Sequence, residues 1–337
     1  MRPRPVALAG LAVFVAAASI LRRRSLLELR GRVVLVTGSS RGLGLALAEE
    51  FAAHGARLVL CARSAASLER ARQRLAARGT EVLAVACDIG DGAQVQALIA
   101  RTEERFGRID VLVNNAGVMT VGPLEAQSLD DFEEAMRVMY WGTVYPTLAV
   151  VPSMRARGSG AIVNIASVGG RISVPHLLPY SSAKFAVVGF SEGLRAELAR
   201  DGVNVTTVVP GLMRTGSHMN AWTRGNHQLE YTLFSLLATL PVTSMDARRA
   251  ARQIVAATRR GDAELVLTIQ AQLATLLHGV APGLMVDAFG LGTRLLPSGV
   301  DIQSERVRGR DSATSVTESF LTALGRRAAA DLNQDLD

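Results

Sequence analysis

Lysine is almost absent from this 337-residue chain: of its 37 basic side chains only Lys184 is lysine, and the rest are arginine. In a composition that writes arginine wherever a surface cation will do, a single lysine marks a position whose task arginine performs poorly. Aromatic residues are also scarce, at 4%, which argues against the stacking platforms that hold single-stranded nucleic acid. The two cysteines, Cys61 and Cys87, each close an apolar run and are too few for a disulfide framework, so both read as buried free thiols. The five histidines show no metal-ligand spacing, and no metal is expected.

Most of the chain also lacks net charge. The formal total is +7, yet residues 1–32 hold seven arginines against the single Glu28, which leaves the remainder close to neutral. A nucleic-acid binder needs its basic residues spread over a groove-facing surface, so this confinement to one end argues for a membrane flank instead. Between RPRP and RRR the run VALAGLAVFVAAASIL carries no charge. As a helix it would be about 24 Å long, and arginines at its ends could snorkel to the interface. Three readings stay open: an uncleaved anchor with the body in the cytoplasm, favoured by the arginines that follow; a helix lying on the membrane surface; and a signal peptide cleaved near Ala16-Ala17-Ala18.

From Arg32 onward, short apolar runs alternate with longer runs of helical period. RVVLVT, RLVLCA, EVLAVACD, IDVLVN, AIVNIAS, VNVTTVV and ELVLTI read as strands buried on both faces. LGLALAEEFAAHG, AASLERARQRLAARG and GAQVQALIARTEERFG read as helices ending at glycine. Seven strands with intervening helices predict an α/β fold, a doubly wound seven-stranded parallel sheet of Rossmann type in a single domain. Such a sheet binds ligands at the carboxyl ends of its strands, so chemistry should be sought just after each one.

TGSSRGLG follows the first strand, with glycines at 38, 42 and 44 placed to let the backbone approach a pyrophosphate at a helix N-terminus. The second strand ends at Cys61-Ala62-Arg63, with no acid to hold the ribose hydroxyls of NAD; Arg63 and Arg41 could instead pair with a 2′-phosphate, which favours NADP(H). Asp88 follows the third strand and Asn114-Asn115-Ala116-Gly117 the fourth. Ser167 ends the fifth, thirteen residues before Tyr180, and Lys184 lies at i+4 from that tyrosine on the same helix face.

In this order TGSSRGLG, NNAG, Ser167, YSSAK and PGLMRT resemble the short-chain dehydrogenase/reductase family, over roughly residues 31–268. The resemblance implies that Gly38, Ser40, Arg41, Gly42, Leu43 and Gly44 wrap the cofactor phosphates, that Asp88 contacts the adenine, that Asn114 lines the adenosine ribose side and that Thr215 holds the nicotinamide amide. It further implies Tyr180 as general acid/base, Ser167 as hydrogen-bond partner of the substrate oxygen, and Lys184 as a group that binds the nicotinamide ribose and lowers the tyrosine pKa. One position departs from the pattern: where many members carry a relay asparagine, three residues before a glycine, this chain has Met139 before Gly142.

Residues 212–240, rich in Met213, Trp222, Tyr231 and Phe234, are expected to cap the substrate and to suit a lipophilic ketone or alcohol. The expected layout is an anchor with basic flank over 1–30, the dehydrogenase/reductase domain over 31–268, an apolar helical extension over 269–297 and a polar, partly disordered tail over 298–337. The extension offers a surface to the membrane, to a second copy in a homo-oligomer, or to the body itself. A helix from Val316 to Leu332 is expected within the tail. The rival reading is a dinucleotide-binding sensor or scaffold without turnover.

Overall fold

The computed structural model describes residues 26–297 and 305–334; the expected N-terminal anchor helix lies outside the described residues. All seven predicted strands form: β1 (Val33–Thr37), β2 (Arg57–Ala62), β3 (Val82–Ala86), β4 (Val111–Asn114), β5 (Gly160–Ile165), β6 (Val203–Val209) and β7 (Glu264–Val266). They pair in parallel in the order β3-β2-β1-β4-β5-β6-β7. Because the chain runs outward from β1 to β3 and then returns to the other side of β1 as β4, the sheet has its switch point between β1 and β4, where an open crevice forms.

Helices cover both faces. On one lie α1 (Gly42–Ala53) and α2 (Ala65–Ala76); on the other lie α3 (Gly92–Phe106), α4 (Gly142–Ala156) and α5 (Leu178–Glu197), and α6 (Ala247–Arg260) returns to the first face. The apolar run of β1 serves both sides: Val34 and Val36 join the cluster under α1 and α6, while Val33 and Leu35 join the cluster under α3 and α4. Left-handed glycines close α3 at Gly107 and α6 at Gly261, as the sequence pattern requires.

The described part of the tail, residues 305–334, is paired with the body. Val307–Arg308 pairs antiparallel with Trp222–Thr223, and the Gly309 N–H donates to the Ala221 carbonyl at 2.8 Å. Arg306 and Arg308 stack on the Trp222 ring, 4.5 and 4.9 Å from its centroid. Composition suggests disorder when a polar segment has no surface to pair with; here the cap supplies backbone partners and an aromatic face. The expected helix from Val316 is confined to Ala323–Asp331. Before it, Thr317 and Thr322 hydroxyls bond to nearby backbone and hold a turn instead.

The apolar extension folds as two helices, Ile269–Val280 and Pro282–Gly292, and the chain bends by 119° between Val280 and Pro282. Their large side chains stand mostly in solvent, with Ile269 and Leu284 each 72% exposed. Among the described residues no single helix is long and apolar enough to cross a membrane.

Candidate active site

The crevice is built from the glycine loop upward. After β1 the backbone turns through Gly38 at φ 64° and enters α1 at Gly42 with φ 58°, both in the left-handed region. A Cβ at Gly44 would lie 2.1 Å from the Gly38 carbonyl oxygen, so the loop can fold back on its helix only with glycine there. The Asn115 amide donates to the carbonyls of Thr37 and Gly38 at 2.9 and 3.2 Å, and the Thr37 hydroxyl accepts from the N–H groups of Asn115 and Ala116. Ser39 ties the other side of the loop to Cys61 on β2. Asn115, Thr37 and Ser39 thus set the loop, and sequence reading passed over all three; the second asparagine of NNAG was the available signal.

Leu45 is the first residue of α1 whose N–H reaches back within the turn, to Arg41, at 3.2 Å. The N–H groups of Gly42, Leu43 and Gly44 are therefore the orphan donors of a helix N-terminus, placed beside Ser40 and Arg41. Anion-favouring donors, a backbone free of Cβ and an adjacent arginine fit a dinucleotide pyrophosphate. Over this cradle lies the tail: the Leu332 carbonyl accepts from the Gly42 N–H at 2.9 Å, and the Asn333 amide donates to the Ser40 carbonyl at 3.3 Å.

At the other end of the crevice Arg63 is exposed, and its charge helps to lower the pKa of Asp88. Burial pushes that carboxyl up, but the Gly90 N–H at 3.0 Å and the Arg137 guanidinium at 2.9 Å outweigh it and keep Asp88 ionised. The Asn114 amide donates to Thr147 at 3.0 Å and to Asn164 at 2.8 Å, and Asn164 in turn reaches Ser191 on α5. The side chain belongs to a buried polar ladder across β4 and β5, with its amide N–H groups paired and its Oδ1 left without a partner.

Ser167, Tyr180 and Lys184 come together as the sequence spacing predicts. Ser167 follows β5, and its hydroxyl accepts from the Gly169 N–H at 3.0 Å and stands close enough to Tyr180 to pull on the phenol's proton affinity. Lys184, 5% exposed, donates to the Ile165 carbonyl at 2.7 Å, with its Nζ 5.8 Å from the centre of the Tyr180 ring. Burial alone lowers the Lys184 pKa from 10.5 to about 8. Burial also raises the Tyr180 phenol, against a smaller opposing pull from Ser167. The phenol as the fold encloses it is thus held above its ordinary value, because desolvation of the phenolate exceeds the pull of Ser167.

Met139 sits on a π-helical turn, Met136–Trp141, ahead of α4. It is buried against Ala135 and Ala183, with Tyr180 packed on the same cluster, and the Met139 carbonyl accepts from Thr143 at 2.7 Å. That side of the phenol is therefore apolar. Thr215 is buried, and its Cβ lies 3.8 Å from the point where a Cβ on Gly42 would stand, so it faces the glycine loop. Two pairs invisible to sequence reading hold the cap, His176 with Glu230 at 2.7 Å and Arg224 with Asp131 at 2.7 Å. Trp222, expected over the substrate, is stacked under the tail arginines.

Residues 32–225 match the family model described as short chain dehydrogenase. Dehydrogenase/reductase SDR family member 7B of Mus musculus is 33% identical over 285 residues, covering 83% of this chain and 87% of that protein. A short-chain dehydrogenase structure from Streptomyces avermitilis superposes with a TM-score of 0.67 at 31% identity, covering 78% of this chain and 97% of the other. L-Sorbose reductase from Gluconobacter frateurii, solved with NADPH and L-sorbose, gives 0.64 at 27% identity, covering 72% and 97%.

The buried lysine has a stability consequence. Unfolded lysine stays protonated up to about pH 10.5, whereas the folded chain releases the proton near pH 8, so stability rises with pH between those values and the cost of the buried charge is full below about pH 8. Lys184→Met is expected to stabilise the fold at pH 7 by at most about 3 kcal/mol, with the gain shrinking toward pH 10. Urea unfolding at the two pH values measures this, and a variant less stable than the parent at pH 7 would contradict it.

Proposed function

Because the chain belongs to the short-chain dehydrogenase/reductase family, we propose that it is an NADP(H)-dependent oxidoreductase acting on a carbonyl or secondary alcohol. The observation that carries this reading is the grouping of Ser167, Tyr180 and Lys184, with the Lys184 Nζ 5.8 Å from the centre of the Tyr180 ring one helical turn away, at the carboxyl edge of the sheet beside the glycine loop. Gly38, Ser40, Arg41, Gly42, Leu43 and Gly44 would hold the pyrophosphate, and Thr215 the nicotinamide end; Asp88 and Arg63 would flank the adenosine. Bound there, the nicotinamide supplies or accepts the hydride.

The chain's own residues manage the proton. With its pKa raised by burial, Tyr180 holds a proton at Oη through the neutral range and gives it to a substrate oxygen as negative charge develops. Ser167 Oγ donates a hydrogen bond to the same oxygen and stabilises that charge. Lys184 keeps a compact positive charge beside the phenol, and arginine would need to fit a broad planar fork into the same buried space. In the oxidation direction Tyr180 must first lose its proton, so alcohol oxidation should be slow near neutrality and rise with pH, while carbonyl reduction is favoured near neutrality.

NADP(H) is preferred over NAD(H) on this reading because an exposed Arg63 and no acid follow β2, and a solved relative carries NADPH. A lipophilic substrate is supported by the apolar cluster of Val121, Ala221 and Phe234 in the cap. Membrane attachment through the N-terminal apolar run, with the body in the cytoplasm, is supported by its arginine flanks and by the exposed apolar faces of Ile269–Val280 and Pro282–Gly292. The rival, a dinucleotide-binding sensor without turnover, draws on the apolar wall that Met139 presents to Tyr180.

Tyr180→Phe is expected to lower turnover by roughly 10²-fold or more while NADPH binding persists, and full activity in that variant would remove the catalytic assignment. Lys184→Arg should lose most activity despite keeping its charge. Losing a charge-assisted contact through Arg63→Ala should weaken NADPH by about tenfold or more and leave NADH unchanged, as read by titration of the two nucleotides; equal losses for both would count against the phosphate role. Flotation with lipid vesicles tests attachment, and a full chain recovered wholly in the soluble fraction would oppose it.

A further inference from the structure

The chain's C-terminal segment lies where the cofactor phosphates are expected, and this goes beyond the family core, whose model ends at residue 225. The Gly42 N–H, the first donor of the helix N-terminus, is taken by the Leu332 carbonyl at 2.9 Å. The room left by the missing Cβ of Gly42 is filled by the Gln334 side chain, whose Nε2 stands 2.6 Å from where that Cβ would be. Asn220 in the cap grips Gln334 through its backbone and side-chain oxygens at 2.9 and 2.7 Å. Upstream, a Cβ on Gly216, next to Thr215, would meet Ala329 at 2.5 Å, so the tail helix is pressed against the loop expected to hold the nicotinamide. One short stretch thus touches both the phosphate and the nicotinamide ends of the crevice.

We propose that residues 331–334 form an intrasteric latch, occupying the phosphate cradle until NADP(H) displaces them. The reading rests on the glycine loop being the cofactor site proposed above. A neutral carbonyl is a weaker acceptor than an ionised phosphate, so the cofactor wins the exchange for the helix N-terminus, but only after lifting the tail. The latch therefore acts as a tax on affinity: the apparent dissociation constant exceeds the intrinsic one by the inverse of the open fraction. Its geometry suits release. Asn333 sits at φ 58°, a left-handed conformation that asparagine tolerates and β-branched residues resist, and the hold on the loop combines a few hydrogen bonds with the single buried side chain of Leu332. Farther back, the strand pairing with Trp222–Thr223 keeps the displaced end tethered to the cap.

The test uses the full chain and NADPH, with binding followed by nucleotide fluorescence. Asn333→Val strains the left-handed residue and removes its bond to Ser40; Leu332→Asp expels the buried Leu332 side chain. Each is expected to bind NADPH about tenfold tighter or more than the parent, provided circular dichroism shows it folded. In the parent, saturating NADPH should speed tryptic cleavage at Arg326 and Arg327, because the tail helix loses its seat. Unchanged or weaker affinity in the folded variants, or slower cleavage with NADPH, would overturn the latch; the Asn333→Val and cleavage arms decide if Leu332→Asp fails to fold. A parent that binds NADPH as tightly as its variants sinks the latch alone, whereas absence of binding in every form sinks the cofactor reading with it.

Discussion

Everything at the crevice depends on how closely the glycine loop folds back on the helix it feeds. With the Gly38 carbonyl 2.1 Å from the position a Cβ would take at Gly44, α1 can begin only where it does, pointing its first-turn N–H groups at the switch point of the sheet. Asn115 fixes that approach by holding the Thr37 and Gly38 carbonyls, and Asn115 is itself placed by the end of β4. The order β3-β2-β1-β4 therefore does more than stack strands: it brings the residue after β4 to the loop after β1. A fold in which those strands were not neighbours would leave the loop without its clamp.

A second constraint governs the chemistry, and it is burial. Ser167 and Lys184 are buried and Tyr180 is half-buried beside them, so the charged form of each ionisable group is penalised, the ammonium downward to about 8 and the phenol upward. Those shifts move the two groups apart in proton affinity: the enclosed phenol holds its proton more firmly and the ammonium less so. The stability given up by burying a lysine marks the position as one kept for function.

Much of the fold could be read in advance, because parallel strands buried on both faces leave long apolar runs and the intervening helices announce their ends with glycine. Ser167, Tyr180 and Lys184 were equally legible, since a four-residue helical spacing and a strand end determine where they meet. What escaped has a common physical cause. The resemblance implies a ribose-side place for Asn114, but its neighbours across the sheet, Thr147 and Asn164, engage its amide N–H groups, and such partnerships join residues far apart in sequence. The direction in which the Tyr180 phenol shifts is likewise set by how deeply the fold encloses it, which spacing cannot convey. The tail's composition describes the segment alone, while the order of its described part comes from Trp222 and the Ala221 carbonyl.

The same tail unites the cap and the cofactor crevice in one mechanical element. Arg306 and Arg308 clasp Trp222, Gly309 bonds to Ala221, and the far end rests on Gly42, so a single strap runs from the cap to the phosphate loop. Asn220 joins the two ends directly, since it lies in the cap yet bonds to Gln334 at the loop. Lifting the strap from the loop would break those Asn220 bonds, so the cap would lose part of its support as the cradle is cleared. Cofactor entry and loosening of the cap are then linked through shared contacts, and by reciprocity whatever tightens the cap onto the strap must weaken binding at the cradle.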